Sequence, residues 1–350
     1  MKYDKVFIES FGYELAPHIV TSQEIEEKLA PFFETVGFVP GQLEALTGIK
    51  ERRFWDVDHT LGEHAAVAGQ RAIDEAGIDP KDIGALCFCG VGQDGFEPAT
   101  ACGIADTLGL SPMAHVYDIK NACLGMITGM VHVANEIQLG NIKAGLITSC
   151  ETARQIVEST IDEINTHKSI EFYKEAIATM TGGSASVAIL LTDGTLGRPD
   201  TRRHAVKGGV LQNAIQHHGL CRWGFEEKGM PTASKVIMRT EAQGVLDNGT
   251  TLAMSTYEQF KKEMNIPADK PDKFIAHQVG EGHHQRFYTA MNLDRKKDFI
   301  TYPFLGNTGS VALPITAAIA DERGFLVPGD LVAFLGVGSG LNCYFLGVEW

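Results

Sequence analysis

Two successive series of short apolar runs, each alternating with helical segments, constrain this 350-residue chain more than any other feature. In the first series residues 85–90, 115–119 and 144–150 read as strands, with helices over 98–108 and 123–139. In the second, 274–277, 299–301 and 331–335 read as strands, with helices over 282–291 and 309–323. Apolar strands separated by helices pack as an α/β sheet covered on its faces. The stretch 193–245, rich in Gly, His and Arg, is less regular. No close repeat is visible, yet the matching order of the two series fits an internal structural duplication. Sheets of this kind bind ligands at the carboxyl ends of their strands, where strand gives way to helix.

Cys123 stands at such a junction, in Asp118-Ile119-Lys120-Asn121-Ala122-Cys123-Leu124-Gly125. A thiol at a helix N-terminus faces unpaired backbone N–H groups and the positive end of the helix dipole, which favour thiolate. A lone cysteine is more simply a small core residue; what raises Cys123 to a candidate nucleophile comes later in the chain. His277 ends a short strand in Phe274-Ile275-Ala276-His277-Gln278, and Asn307 sits in the turn Phe304-Leu305-Gly306-Asn307-Thr308-Gly309 before a helix. Taken singly, His277 is equally readable as a core histidine and Asn307 as a helix cap. Together the imidazole can take the thiol proton, and both groups can donate to a developing oxyanion. Farther on, Leu335-Gly336-Val337-Gly338-Ser339-Gly340-Leu341-Asn342-Cys343 lets the backbone approach a ligand closely and offers N–H donors.

In order, Asn-Ala-Cys, His-Gln, Gly-Asn-Thr-Gly and the terminal Gly-rich hairpin resemble the β-ketoacyl-acyl-carrier-protein synthase III group of the thiolase superfamily. The resemblance runs essentially from end to end and includes Thr47-Gly48-Ile49-Lys50-Glu51-Arg52-Arg53. It implies the α/β thiolase fold: duplicated βαβαβαββ halves, residues 1–200 carrying the cysteine and 201–350 the histidine and asparagine, in a five-layered αβαβα arrangement. Cys123 and Asn307 would then occupy equivalent junctions of the two halves. It also implies that Cys123 is acylated, that His277 and Asn307 complete the site, that the N–H groups of Cys123 and Ser339 form an oxyanion hole, and that the protein is a homodimer.

Composition agrees. With 44% hydrophobic and 21% charged residues the chain can build a large core, and a net charge of −14 argues against general nucleic-acid or anionic-membrane binding. Seven cysteines, an odd number in a long chain, fit reduced cytoplasmic thiols. Cys87 and Cys89 share one face of a strand and read as core. His217-His218 and His283-His284 lack the grouping of a metal site, so no metal is expected. Nothing resembles a signal peptide, and no run is long and apolar enough to insert in a membrane.

Chemistry at such a cysteine is thioester chemistry: attack on an acyl thioester, an acyl-enzyme, then attack on it by a carbanion. The carbanion arises by decarboxylating a malonyl thioester or by removing an α-proton from a second acyl thioester, which needs a base. In Gln93-Asp94-Gly95-Phe96-Glu97-Pro98-Ala99-Thr100 a glutamate precedes the proline read as opening a helix. It resembles the branch that joins two fatty acyl-CoA molecules head to head to a 2-alkyl-3-ketoalkanoate, in which such a glutamate crosses the dimer and serves as the base. The plainer reading is an exposed carboxylate favoured by the helix dipole. Leu43-Glu44-Ala45-Leu46-Thr47 lacks the Trp and Arg that often hold the CoA adenine, which leaves Arg52, Arg53, Arg202, Arg203 and Lys207 as candidate contacts for CoA or carrier-protein phosphates, or as ordinary solvated charge. No cofactor beyond the CoA thioester substrates is implied. Two alternatives stand: a decarboxylative synthase III acting with malonyl-acyl-carrier protein in fatty-acid biosynthesis, and a cysteine-dependent thioester hydrolase. A degradative thiolase would need a second cysteine before the Gly cluster, whereas Cys343 follows it.

Overall fold

The computed structural model describes residues 1–199, 203–226, 236–267 and 269–350. Among these residues nine strands form the main sheet: β1 Phe7–Leu15, β2 Ala85–Phe88, β3 His115–Asp118, β4 Ala144–Glu151, β5 Ala185–Thr192, β6 His204–Asn213, β7 Lys273–Ala276, β8 Leu331–Gly338 and β9 Asn342–Glu349. Their order is β3-β2-β4-β5-β1-β6-β9-β8-β7. Read outward from the centre, the first half runs β1-β5-β4-β2-β3. The second runs β6-β9-β8-β7 and ends on Asp298, which bridges in parallel to Phe274. Both halves therefore follow one order: first, fifth, fourth, second, third. They join where Phe7 and Ile8 of β1 meet Ala205 and His204, and the contact continues through Lys2, which bridges to Gly208.

Layering follows from which side chains each strand face must hide. Along β5, Val187, Ile189 and Leu191 enter a central core, while the intervening Ala188 and Leu190 enter an outer one. The central core is filled by α3 (Gly125–Leu139) and α6 (Ala312–Glu322), two helices buried nearly all round, as their continuous apolar sequence requires. Helices α1 (Leu61–Ala76) and α2 (Thr100–Thr107) cover the outer face of the first half. Helices α4 (Ala242–Glu263) and α5 (Glu281–Ala290) cover that of the second. The central core, shared by both halves of the sheet, and the two outer ones build the αβαβα arrangement; Cys87 and Cys89 lie in the central one as expected.

Three elements differ from the sequence reading. The irregular stretch 193–245 contains β6, at the middle of the sheet, and a hairpin of Cys221–Phe225 with Val236–Thr240. Gly208 and Gly209 hide the strand pattern; a Cβ at 209 would fall 2.0 Å from the Phe345 carbonyl. The run 299–301 supplies no strand beyond the bridge at Asp298. Helix α2 opens at Thr100 rather than Pro98, because the Asp118 carboxylate accepts the N–H groups of Thr100 and Ala101, each at 2.9 Å.

Candidate active site

The strand-to-helix junctions before α3 and α6 are built alike. Each is one 3₁₀ turn, Ala122–Leu124 or Gly309–Val311, leading directly into its helix. Each turn starts with a left-handed residue, Ala122 at φ 45° and Gly309 at φ 56°. A non-glycine residue there is strained, and such strain gathers at functional sites. In this register Cys123 corresponds to Ser310, and Asn307 stands earlier in its turn: the junctions match, but the residues Cys123 and Asn307 do not.

Cys123, His277, Asn307 and Ser339 line one cavity of about 150 Å³. It extends between apolar side chains such as Leu246, Phe287 and Val337. A second cavity, running past Lys120, Glu151 and Ile156, shares Cys123, Asn307 and Ser339 with the first. Two cavities thus meet at the thiol.

Burial governs the electrostatics. It pushes the Cys123 thiol up to about 12, with Cys221 and Glu151 acting in the same direction; its own backbone N–H opposes them weakly. The thiolate expected at a helix N-terminus is therefore not the resting state, because desolvation outweighs the turn's N–H groups. Burial, and then the nearby His283, pull His277 down to about 4. A neutral thiol thus shares a cavity with a neutral imidazole able to take its proton. The Nδ1 of His277 is buried and has no hydrogen-bond partner among the described residues; the same holds for the Nδ1 of His284, whose Nε2 lies 2.5 Å from Asp298.

Asn307 is held by its backbone. Its N–H donates to the Thr181 carbonyl at 2.8 Å and its carbonyl accepts the Gly183 N–H at 2.9 Å. Its Oδ1 accepts the Gly309 N–H at 3.1 Å, which fixes the amide plane and leaves Nδ2 as a donor. The terminal hairpin passes close to Cys123, as its glycines suggested: a Cβ at Gly338 would lie 2.9 Å from Leu124 Cγ and 3.5 Å from Cys123 Cβ.

Other expectations land elsewhere. Glu97 is exposed, on the loop between β2 and α2, and does not line the cavity of its own chain. Arg52 is wholly buried, donating to Ser22 Oγ at 3.1 Å and the Met180 carbonyl at 3.2 Å, so it braces the interior and is no surface phosphate contact. Arg53 donates to the Ala16 carbonyl at 3.1 Å, Arg203 pairs with Glu9 at 2.7 Å, and Lys207 pairs with Glu349 at 3.2 Å. None of these four lines either cavity at Cys123. Arg202 lies outside the described residues. Cys343 is fully buried in the outer core of the second half, out of the cavity, which agrees with the case against a degradative thiolase. Among the described residues no cluster of three or more His, Cys, Asp or Glu could hold a metal.

Sequence reasoning missed four polar groups at the site. Glu151, at the end of β4, accepts the Val91 N–H at 2.9 Å, the Ser310 N–H at 3.2 Å and the Ser310 hydroxyl at 2.6 Å through Oε1. Its signal was a lone carboxylate ending an apolar strand. Lys120, Cys221 and Asn342 gave no pattern of their own.

Comparison with known proteins is consistent with this geometry. The family model described as 3-oxoacyl-[acyl-carrier-protein] synthase III C terminal matches residues 262–350. An acyl-CoA:acyl-CoA alkyltransferase of Shewanella oneidensis is 47% identical over 350 residues, the whole of both chains. One from Xanthomonas campestris is 32% identical over 351 aligned positions, again covering both. The cerulenin-bound crystal structure of Xanthomonas OleA superposes with a TM-score of 0.92 at 31% identity, over all of this chain and 98% of that one. Another OleA structure, with bound lauric acid and lauroyl-CoA, gives 0.91 at 31% identity, over 99% and 100%. Solved variants of OleA alter a glutamate and a cysteine separated by the same number of residues as Glu97 and Cys123.

Proposed function

The chain belongs to the acyl-CoA:acyl-CoA alkyltransferases, condensing enzymes of the thiolase superfamily, and we propose from that membership a mechanism in which two protomers share each site. The enzyme joins two fatty acyl-CoA molecules head to head through a C–C bond. Cys123 attacks the carbonyl of the first, its proton passing to neutral His277, while the N–H groups of Cys123 and Ser339 hold the oxyanion. CoA leaves with the proton from His277, and an acyl-Cys123 remains. The partner subunit's Glu97 then removes an α-proton from the second acyl-CoA, and His277 and Asn307 hold the enolate oxygen. The carbanion attacks the acyl group, the new C–C bond forms, and the Cys123 thiolate leaves and is reprotonated. Hydrolysis of the remaining thioester gives the 2-alkyl-3-ketoalkanoate.

One observation carries the shared site: Glu97 stands outside the cavity that its own Cys123 lines, on an exposed loop beside β3. That strand is an edge of the sheet, and its unpaired backbone groups suit addition of a second copy. A homodimer with CoA rather than acyl-carrier protein as donor fits this reading, and no cofactor enters the steps. We place the enzyme in the cytoplasm, where acyl-CoA and reduced thiols coexist; among the described residues no helix is long and apolar enough to cross a membrane. The decisive experiment is incubation with myristoyl-CoA alone followed by mass spectrometry. A long-chain β-keto acid or its ketone is expected. Product that forms only when malonyl-acyl-carrier protein is added would establish the decarboxylative route instead, and free myristate alone a hydrolase.

A further inference from the structure

We infer that Lys120 and Glu151 form a clamp that fastens the Glu97-bearing loop to the nucleophile's own junction, making both positioning residues for the condensation step. The inference rests on the reading of Glu97 as the base. Lys120 precedes Cys123 by three positions, and its Nζ donates to the carbonyl of Gly90 at 3.1 Å, of Val91 at 3.3 Å, and of Gly92. Glu151 takes the Val91 N–H from the other side while gripping Ser310, the counterpart of Cys123 in the second junction. Val91 is therefore held through both its N–H and its carbonyl. Beyond it, the Asp94 carboxylate accepts from the N–H groups of Leu61 at 2.7 Å and Gly62 at 2.9 Å, and the loop ends where Asp118 holds Thr100 and Ala101.

Between these anchors Phe96, Glu97 and Pro98 are exposed, Phe96 by 68%. A loop fixed so firmly at both ends presents its tip in one place. Burying Glu151 and ordering the Lys120 side chain both cost free energy, and the condensation written above uses neither group in bond making. Their side-chain hydrogen bonds instead tie the loop to the two junctions. Glu97 thus moves with the junctions of its own chain even while serving a site on the partner.

The test uses the full-length enzyme with Lys120→Met, Glu151→Gln and Lys120→Arg. In the first two, amide hydrogen exchange across residues 90–101 should quicken about tenfold or more while α3 is unchanged. Condensation of myristoyl-CoA should fall about 10²-fold, as for a misplaced catalytic group, and acylation of Cys123, followed by mass shift, should fall at least about tenfold less. Lys120→Arg should recover most of the condensation. Unchanged exchange over the loop, or equal losses in both steps, would overturn the clamp. Glu97→Ala run in parallel separates the two ideas. Normal condensation by that variant removes Glu97 as the base and leaves loop exchange to decide the clamp. Normal condensation by Lys120→Met and Glu151→Gln beside an inactive Glu97→Ala defeats the clamp alone.

Discussion

Nδ2 of Asn342 donates to Oδ1 of Asn121 at 3.0 Å, fastening the terminal hairpin to the residue two places before the nucleophile. Asn121 in turn donates to Thr128 Oγ1 at 2.8 Å, so the chain reaches into α3. The proposed oxyanion donors, the N–H groups of Cys123 and Ser339, belong to these two segments, and their spacing depends on this contact. Gly340, at φ 138°, permits it: a Cβ there would fall 2.3 Å from Asn342 Nδ2.

Asn342→Ala should therefore slow acylation itself, by roughly 10- to 100-fold, while lowering stability by only about 1 kcal/mol. Rapid-quench acylation and denaturant unfolding measure the two. A large stability loss with unchanged acylation would mean that the contact serves the fold alone.

The resting pair should be neutral over a wide pH range. With the thiol at about 12 and the imidazole at about 4, iodoacetamide should alkylate Cys123 slowly at neutral pH and faster as pH rises toward about 12. A plateau reached near pH 7 would instead indicate a standing thiolate. Acylation should fall on acidification as His277 becomes protonated near pH 4. Because the folded value lies below the unfolded 6.5, the unfolded chain binds the extra proton between them. The contribution of His277 to stability is therefore full above about 6.5 and declines as pH falls toward 4; a His277→Asn variant should flatten that slope in unfolding titrations.

Glu97→Ala should leave Cys123 acylation nearly intact and reduce condensation by about 10²–10⁴-fold, the usual weight of a general base. Glu97→Asp should retain part of the rate. Mass spectrometry of the trapped acyl-enzyme and of the product separates the steps, and unchanged turnover would remove Glu97 from the mechanism.

Arg52→Met tests the correction at that position. Loss of two buried charge-assisted hydrogen bonds should cost at least about 1.5 kcal/mol of stability with KM for acyl-CoA unchanged. A raised KM with unaltered melting would return Arg52 to the CoA site.

Much of the architecture was legible because burial leaves a periodic trace. The fully buried β4, the apolar β8 and the apolar helices after Cys123 and Gly309 could be read directly, since segments covered on both sides carry few polar residues to confuse the pattern. Strand β6 escaped, because Gly208 and Gly209 are dictated by a neighbouring backbone rather than by the strand's own faces. Cys123, His277, Asn307 and Ser339 were found because short motifs at strand ends carry their chemistry locally. Arg52 misled for the opposite reason: a guanidinium buried against Ser22 and Met180 has the same letter as one in water.

By itself the sequence pointed to the duplicated α/β plan and to Cys123, His277, Asn307 and Ser339, which the fold brings to one cavity. Only the tertiary structure decided that Cys123 rests as a thiol, that its true counterpart is Ser310, and that Glu97 does not line its own chain's cavity. Those three depend on desolvation and on contacts between residues more than a hundred positions apart, and neither quantity is written in a local pattern.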